Sequence, residues 1–230
     1  MTIHAMQELC RETMAYIGEK VCPGMPLREV RRLCEEYMLS HGADSFWYWD
    51  VGAVVFSGDE TALSVSGREY KTSDRLIGVN DIITVDLSPQ KACIWGDYAR
   101  TIVVENGSVV SDIEKIRNEE WRSGLQMEEH LHAVMRSFVT AETTFEELYN
   151  FINREIAAQG YTNLDFLGNL GHSIVRDKKE RIYTEAGNKA RLSSVEAFTF
   201  EPHIARPDSK CGFKLENIYQ FASNGQLVEL

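Results

Sequence analysis

The sequence predicts an α+β fold in which one unit, two helices followed by strands, occurs twice. Three observations carry that prediction. Apolar residues recur at helical spacing in the first forty residues, and a strand-rich stretch follows to about Val104. The same order then starts again near Ser111.

Residues 4–20 place Met6, Leu9, Cys10, Met14 and Ile17 on one helical face. After "CPGMP" a second helix is expected to about His41, with Leu27, Val30, Leu33, Cys34, Tyr37 and Met38 on one side. Gly42 follows where a left-handed residue is wanted. The aromatic run "FWYWDVGAVVFSG" (46–58) opens the strands, "ITVDLSPQKACIWGDYART" (83–101) reads as two strands joined by a turn, and "ENGS" is a turn. Ser111 and Asp112 are placed to cap a long helix through about Phe138, carrying Ile113, Ile116, Leu131, Val134, Met135 and Phe138. A further helix lies in "AETTFEELYNFINREIAAQG", where Thr144 and Glu147 have the spacing of a capping box and Gly160 is the stop. Short strands close the chain: "NLGHSIV", "VEAFTFEPHI", "GFKLENIYQF" and "QLVEL". No low-complexity or linker-like stretch divides the two rounds. Residues 1–230 therefore read as a single domain with pseudo-symmetric halves of about 1–107 and 108–230.

Composition bounds the function. A chain of 230 residues, 43% hydrophobic and 26% charged, has the makeup of a soluble globular protein with a substantial core. A formal charge of −11, with no basic run, argues against a nucleic-acid or anionic-membrane partner. The five cysteines are scattered and form no CxxC, so neither a zinc knuckle nor a disulfide framework is suggested. The N-terminus has no apolar core of a signal peptide, and no stretch approaches the ~18 apolar residues of a membrane span. A reducing cytoplasm is the expected compartment.

Polar residues stand where strand packing should dominate. Asp86 and Asp97 occupy the strands of 83–101, His172 begins "HSIV", Glu201 lies in "AFTFEPHIA" and Glu216 in "FKLENIYQF". Singly, each has an ordinary explanation as a turn cap, a solvent-facing group or a structural histidine. Together, four carboxylates on one sheet would repel, and some would have to take up protons. A pair of divalent cations resolves the conflict by satisfying charge and lone pairs at once. Four carboxylates and an imidazole suit Mn, Fe(II), Co or Zn better than copper. Metals about 3.5–4 Å apart can share a water, lower its pKa and polarise a carbonyl.

The motifs "TVDLSP…GDYART", "LGHSI", "FTFEP" and "GFKLENI" resemble the metal-binding motifs of the M24 metallopeptidase family, which includes methionine aminopeptidase, aminopeptidase P and prolidase. "PGMPLREVRRLCEEYMLSHGADS" is similar to the family's early helix, so the resemblance covers nearly the whole chain apart from the separate N-terminal domain of longer members. It implies the duplicated pita-bread fold and a dinuclear hydrolase acting on a small peptide or amide, of Xaa-Pro aminopeptidase or prolidase type. It also implies two divalent ions, manganese slightly favoured over Co, Zn and Fe, and a possible homodimer. Matched residue by residue, the ligands are Asp86, Asp97, His172, Glu201 and Glu216. Asp97 and Glu216 would bridge, Asp86 would hold one ion and His172 with Glu201 the other. A shared hydroxide would attack the scissile carbonyl, with Glu201 or His203 moving the proton.

The resemblance breaks at the family's additional histidines. The three matching positions are Ser66, Gly168 and Lys179. His203 follows Glu201 by two residues, so on a strand both point to one face. It either acts beside the metals as proton carrier or oxyanion donor, or fixes a neighbouring carboxylate. Lys179 either supplies positive charge to a substrate or oxyanion or is solvated within "RDKKER". Phe46, Trp47, Tyr48 and Trp49 are divided between core, subunit contact and pocket wall, and Arg100 is expected to order a carboxylate. Two other functions stay open. One is non-peptidase chemistry on the same fold, creatinase-like or a lyase. The other is a binding module without catalysis, which the intact ligand set disfavours.

Overall fold

The computed structural model describes residues 1–230. Helix α1 (Ile3–Lys20) starts where the Thr2 hydroxyl accepts from the amide of Ala5, and it buries the expected Met6, Leu9, Cys10, Met14 and Ile17. Helix α2 (Leu27–Ser40) buries Leu27, Val30, Cys34 and Met38. Gly42 beyond it has φ 131°, a conformation that glycine adopts without strain.

The strands of the first half are β1 (Ser45–Phe46), β2 (Ala53–Ser57), β3 (Asp81–Leu87), β4 (Pro89–Lys91), β5 (Ile94–Trp95), β6 (Tyr98–Glu105) and β7 (Ser108–Val109). Antiparallel pairing gives the order β2-β3-β6-β7, with Asp86 opposite Ala99. Strand β3 shows how the period of two serves two purposes. Ile83, Val85 and Leu87 pack into a core with α1 and α2, while Thr84 and Asp86 line a cleft.

Helices α3 (Glu119–Phe138) and α4 (Phe145–Ala158) begin the second half, followed by β8 (Thr162–Asn163), β9 (Ser173–Ile174), β10 (Ala197–Phe200), β11 (His203–Ala205), β12 (Phe213–Lys214), β13 (Asn217–Phe221) and β14 (Leu227–Glu229). The capping box at Thr144 and Glu147 forms in full. A second core joins Leu131, Met135, Phe145, Leu148 and Ile152 of the helices to Phe198, Phe200 and Tyr219 of the sheet β14-β13-β10-β9. The halves meet where the Glu216 amide donates to the carbonyl of Ala99 at 3.0 Å.

Four local expectations are corrected. The helix expected from Ser111 is interrupted: Asp112 caps only a 3₁₀ turn at Ile113–Lys115, and α3 restarts at Glu119 under an Asn118 cap. The carboxylate of Glu105 accepts from the amides of Arg117 and Asn118 at 2.8–3.1 Å, which holds that break. The aromatic run is no continuous strand, because Trp49 and Asp50 have φ 56° and 60° and turn the chain back. Residues 83–101 carry an inserted small hairpin, β4–β5, between the two long strands. "VEAFTFEPHI" splits into β10 and β11 at Glu201–Pro202, where proline has no N–H for a ladder.

Candidate metal centre

Only Asp86 lies within a strand; Asp97 precedes β6, His172 precedes β9, and Glu201 and Glu216 occupy the gaps after β10 and β12. Strand ends leave the ladder and let side chains converge. Asp86, Asp97 and Glu216 each offer a carboxylate oxygen within 4.8 Å of the others. His172 Nε2 stands 3.3 Å from Asp97 Oδ2 and 3.9 Å from Glu201 Oε1. All five expected residues are therefore brought together, and four of them, Asp86, Asp97, His172 and Glu201, line the same cleft.

The donor set fits a divalent cation. Asp97 Oδ2 and both carboxylate oxygens of Glu216 are buried without a hydrogen-bond partner. The Nδ1–H of His172 donates to the carbonyl of Ser173 at 3.0 Å, which turns Nε2 toward Asp97 and Glu201. Acceptors facing acceptors in a buried site call for a cation or protons between them. Burial above all, with the charges of Glu201 and Asp86, pushes the Asp97 carboxyl up to about 7 against the pull of His172. Glu216 is raised well above the usual carboxylate range by burial and then by Asp97 and Glu201.

A residue that sequence reasoning missed stands inside this cluster. Lys214 Nζ lies 2.6 Å from Asp86 Oδ2, 3.1 Å from Glu201 Oε2 and 4.0 Å from Glu216 Oε2. Burial alone would lower the Lys214 ammonium, but the three carboxylates outweigh it and hold it above its ordinary value. Burial likewise raises Glu201, yet Lys214 and His172 bring it below the normal range. The signal was available, because "FKLEN" spaces Lys214 and Glu216 as "FEPH" spaces Glu201 and His203.

His203 lines the cleft, buried, and its ring Nε2 donates to the carbonyl of Thr61 at 2.7 Å. Burial, then the Lys214 charge, depresses it to about 4. Lys179 sits exposed on a 3₁₀ turn, apart from the cleft-lining residues. The cleft's cations are Lys214 and Arg181 instead. Arg181 is a second omission: its Nη2 donates to the Tyr183 hydroxyl at 2.6 Å, and its Nε is buried without a partner. Ser66 is half-buried beside the lining residues Ser64 and Val65. Gly168 has φ 76°, a backbone where histidine would be strained. Arg100 binds no carboxylate; it donates to the backbone carbonyls of Ala99 and Glu216 and to Asn217 Oδ1, each at 2.7 Å. Of the aromatic run, Trp47 stacks on Trp95 at 4.7 Å and meets His172 edge-on, and Tyr48 lines the cleft. Phe46 packs on the first core, and Trp49 is exposed beneath Arg68.

The model of metallopeptidase family M24 matches residues 2–221. Methionine aminopeptidase of Clostridium perfringens is 23% identical over 198 residues, covering 84% of this chain and 74% of its own length. That of Helicobacter pylori is 25% identical over 210 residues, covering 86% and 76%. Prolidase from Pyrococcus furiosus superposes with a TM-score of 0.81 at 21% identity, over 99% of this chain and 61% of that one. X-Pro aminopeptidase from Thermotoga maritima gives 0.78 at 20%, over 99% and 59%. The chain thus spans about three-fifths of those two solved structures. They share its α+β pita-bread fold.

Proposed function

The chain belongs to metallopeptidase family M24, and from that premise we propose that it is a divalent-metal-dependent hydrolase of a small peptide or amide, Xaa-Pro aminopeptidase- or prolidase-like. One observation carries the reading: unpartnered buried oxygens of Asp97 and Glu216 converge with the Nε2 face of His172 at a cleft. Asp86, Asp97, His172, Glu201 and Glu216 are the proposed ligands. They offer donors for two divalent ions, with the Lys214 ammonium as a competitor for one place, and manganese is the first to try for so oxygen-rich a set. A divalent ion held there lowers the pKa of a water and polarises an amide carbonyl.

The chain's own residues supply the rest. Glu201 and His203 stand at the cleft to move a proton between water and leaving amine. The cleft combines apolar walls with a few charged and polar groups, a lining that suits a short peptide. Trp47, Tyr48, Phe56 and Leu63 give it an apolar wall, and Arg181 gives it a cation for a substrate carboxylate. Residues 1–230 are read as one catalytic domain with pseudo-symmetric halves. A homodimer and a reducing cytoplasm complete the reading; all five cysteines are free, and no helix is long and apolar enough to cross a membrane.

A second reading, hydrolysis or elimination on a non-peptide substrate, is favoured by Ser66, Gly168 and Lys179 standing where the resemblance expects histidines. The test is a chelator-controlled screen of protein loaded with Mn, Co, Zn or Fe. It sets Xaa-Pro and N-terminal Met peptides against non-peptide amides and amidines. Chelator-sensitive peptide cleavage supports the first reading, and activity confined to the non-peptide set supports the second. Absence of both activity and bound metal would leave a binding module.

A further inference from the structure

The four carboxylates divide into two pairs by what already satisfies them. Asp86 Oδ2 and Glu201 Oε2 share one ammonium, Lys214 Nζ, at 2.6 and 3.1 Å. Asp97 Oδ2 and both oxygens of Glu216 have no hydrogen-bond partner. The Nε2 of His172 is nearer to the unpartnered side, 3.3 Å from Asp97 against 3.9 Å from Glu201.

The ammonium is held in place from behind. The Lys214 amide donates to Thr101 Oγ1 at 2.9 Å, and that hydroxyl donates back to the Lys214 carbonyl at 3.0 Å. Lys214 also pairs with His203 in the β11–β12 ladder, so its side chain enters the cleft from a fixed strand. Only 16% of the side chain is exposed. A divalent ion reaching the same Asp86 and Glu201 oxygens at the usual 2.0–2.2 Å would have to share their lone pairs with this charge.

We infer that the Lys214 ammonium fills one of two cation places among these carboxylates, so that the chain holds a single divalent ion centred on Asp97, His172 and Glu216. The inference rests on the proposed ligand set and deepens it. Lys214 then acts as a built-in monovalent cation: its one charge offsets half of the two that Asp86 and Glu201 carry, while the other place exchanges with solvent ions. A centre of that kind keeps one ion to polarise a carbonyl and presents a fixed N–H donor beside it.

The experiment is a Mn(II) titration of the chelator-stripped full chain by calorimetry, with electron paramagnetic resonance of the bound ion. Wild type is expected to bind one Mn(II) per chain with the six-line spectrum of an isolated ion. Lys214→Met, similar in length and uncharged, is expected to bind two, with a spectrum broadened by coupling between neighbours. Lys214→Arg keeps the charge and should stay at one. Circular dichroism checks each variant, and Lys214→Gln replaces Lys214→Met if that chain does not fold. Two ions in wild type, or one in both wild type and the neutral variant, overturns the inference and leaves the ligand set standing. No Mn(II) in any of them overturns the ligand set, and the inference with it.

Discussion

His203 and Thr61 are tied through the ring's Nε2–H, which donates to the Thr61 carbonyl at 2.7 Å. The tie fixes the tautomer, leaving Nδ1 as the ring's only acceptor. A ring held this way can take a proton at the cleft, and it also straps the Thr61 turn to β11. His203→Gln separates the two roles, because an amide can still donate to Thr61 but cannot carry the proton. Turnover of whichever substrate the screen identifies is expected to fall by about 100-fold or more, with metal content unchanged. An unchanged rate would assign His203 to the strap alone.

Asp97 joins two opposed demands, since it is proposed to hold metal and yet is buried with Oδ2 unpartnered. Asp97→Asn is therefore expected to weaken Mn(II) binding by about 100-fold or more while leaving the metal-free fold as stable or about 1 kcal/mol more stable. Calorimetric titration and urea unfolding of the chelated protein measure the two effects. Full metal affinity would remove Asp97 from the ligands. A large loss of metal-free stability would show that the pairing of its carboxylate with His172 supports the metal-free fold.

What the sequence made legible follows from periodicity and charge. Helices α1 and α2 could be read because a single face carries Met6, Leu9, Cys10, Val30 and Cys34 into one core. The clustering of the five polar residues could be read because carboxylates set among apolar strand residues repel unless a cation or protons stand between them. Three things escaped for physical reasons. The break before α3 is held by Glu105, distant in sequence from the amides it caps, and only the Asn118 cap marks it locally. Lys214 is marked in the sequence only by its spacing of two from Glu216, and the folded register is what turns it onto Asp86. Arg181 lies in a charged run with Lys178 and Lys179, and only the aromatic neighbours Trp47 and Tyr183 distinguish it.

Arg181 is the specificity prediction. Its guanidinium lies 5.3 Å from the Trp47 ring and 5.0 Å from the Tyr183 ring, with Nε free to donate. A substrate carboxylate in the cleft would meet this guanidinium in a charge-assisted pair worth about 1.5–3 kcal/mol. Arg181→Gln should then raise KM for substrates with a free carboxylate by tenfold or more, on the order of that energy, and leave their C-terminal amides unaffected. Equal losses for acid and amide would mean that Arg181 only braces the cleft wall.

His132 sets the expected pH dependence of stability. Its Nε2 donates to the carbonyl of Leu215 at 3.0 Å, so α3 grips the link between Lys214 and Glu216. Burial pushes this imidazole from its ordinary 6.5 down to about 3. The unfolded chain therefore binds a proton below pH 6.5 that the folded chain refuses, and stability falls as pH drops through that window. At about 1.4 kcal/mol per pH unit, the loss from pH 6.5 to 5 is about 2 kcal/mol from this group. Asp97 works in the opposite direction, since its raised carboxyl binds a proton in the folded state that the unfolded chain has released. The difference between wild type and His132→Gln, measured by urea unfolding at pH 7 and pH 5, isolates the histidine. The variant is expected to lose about 2 kcal/mol less than wild type between the two pH values. Equal losses would mean that the folded protein admits a proton, and with it water, at the junction of α3 and the proposed metal-binding strands.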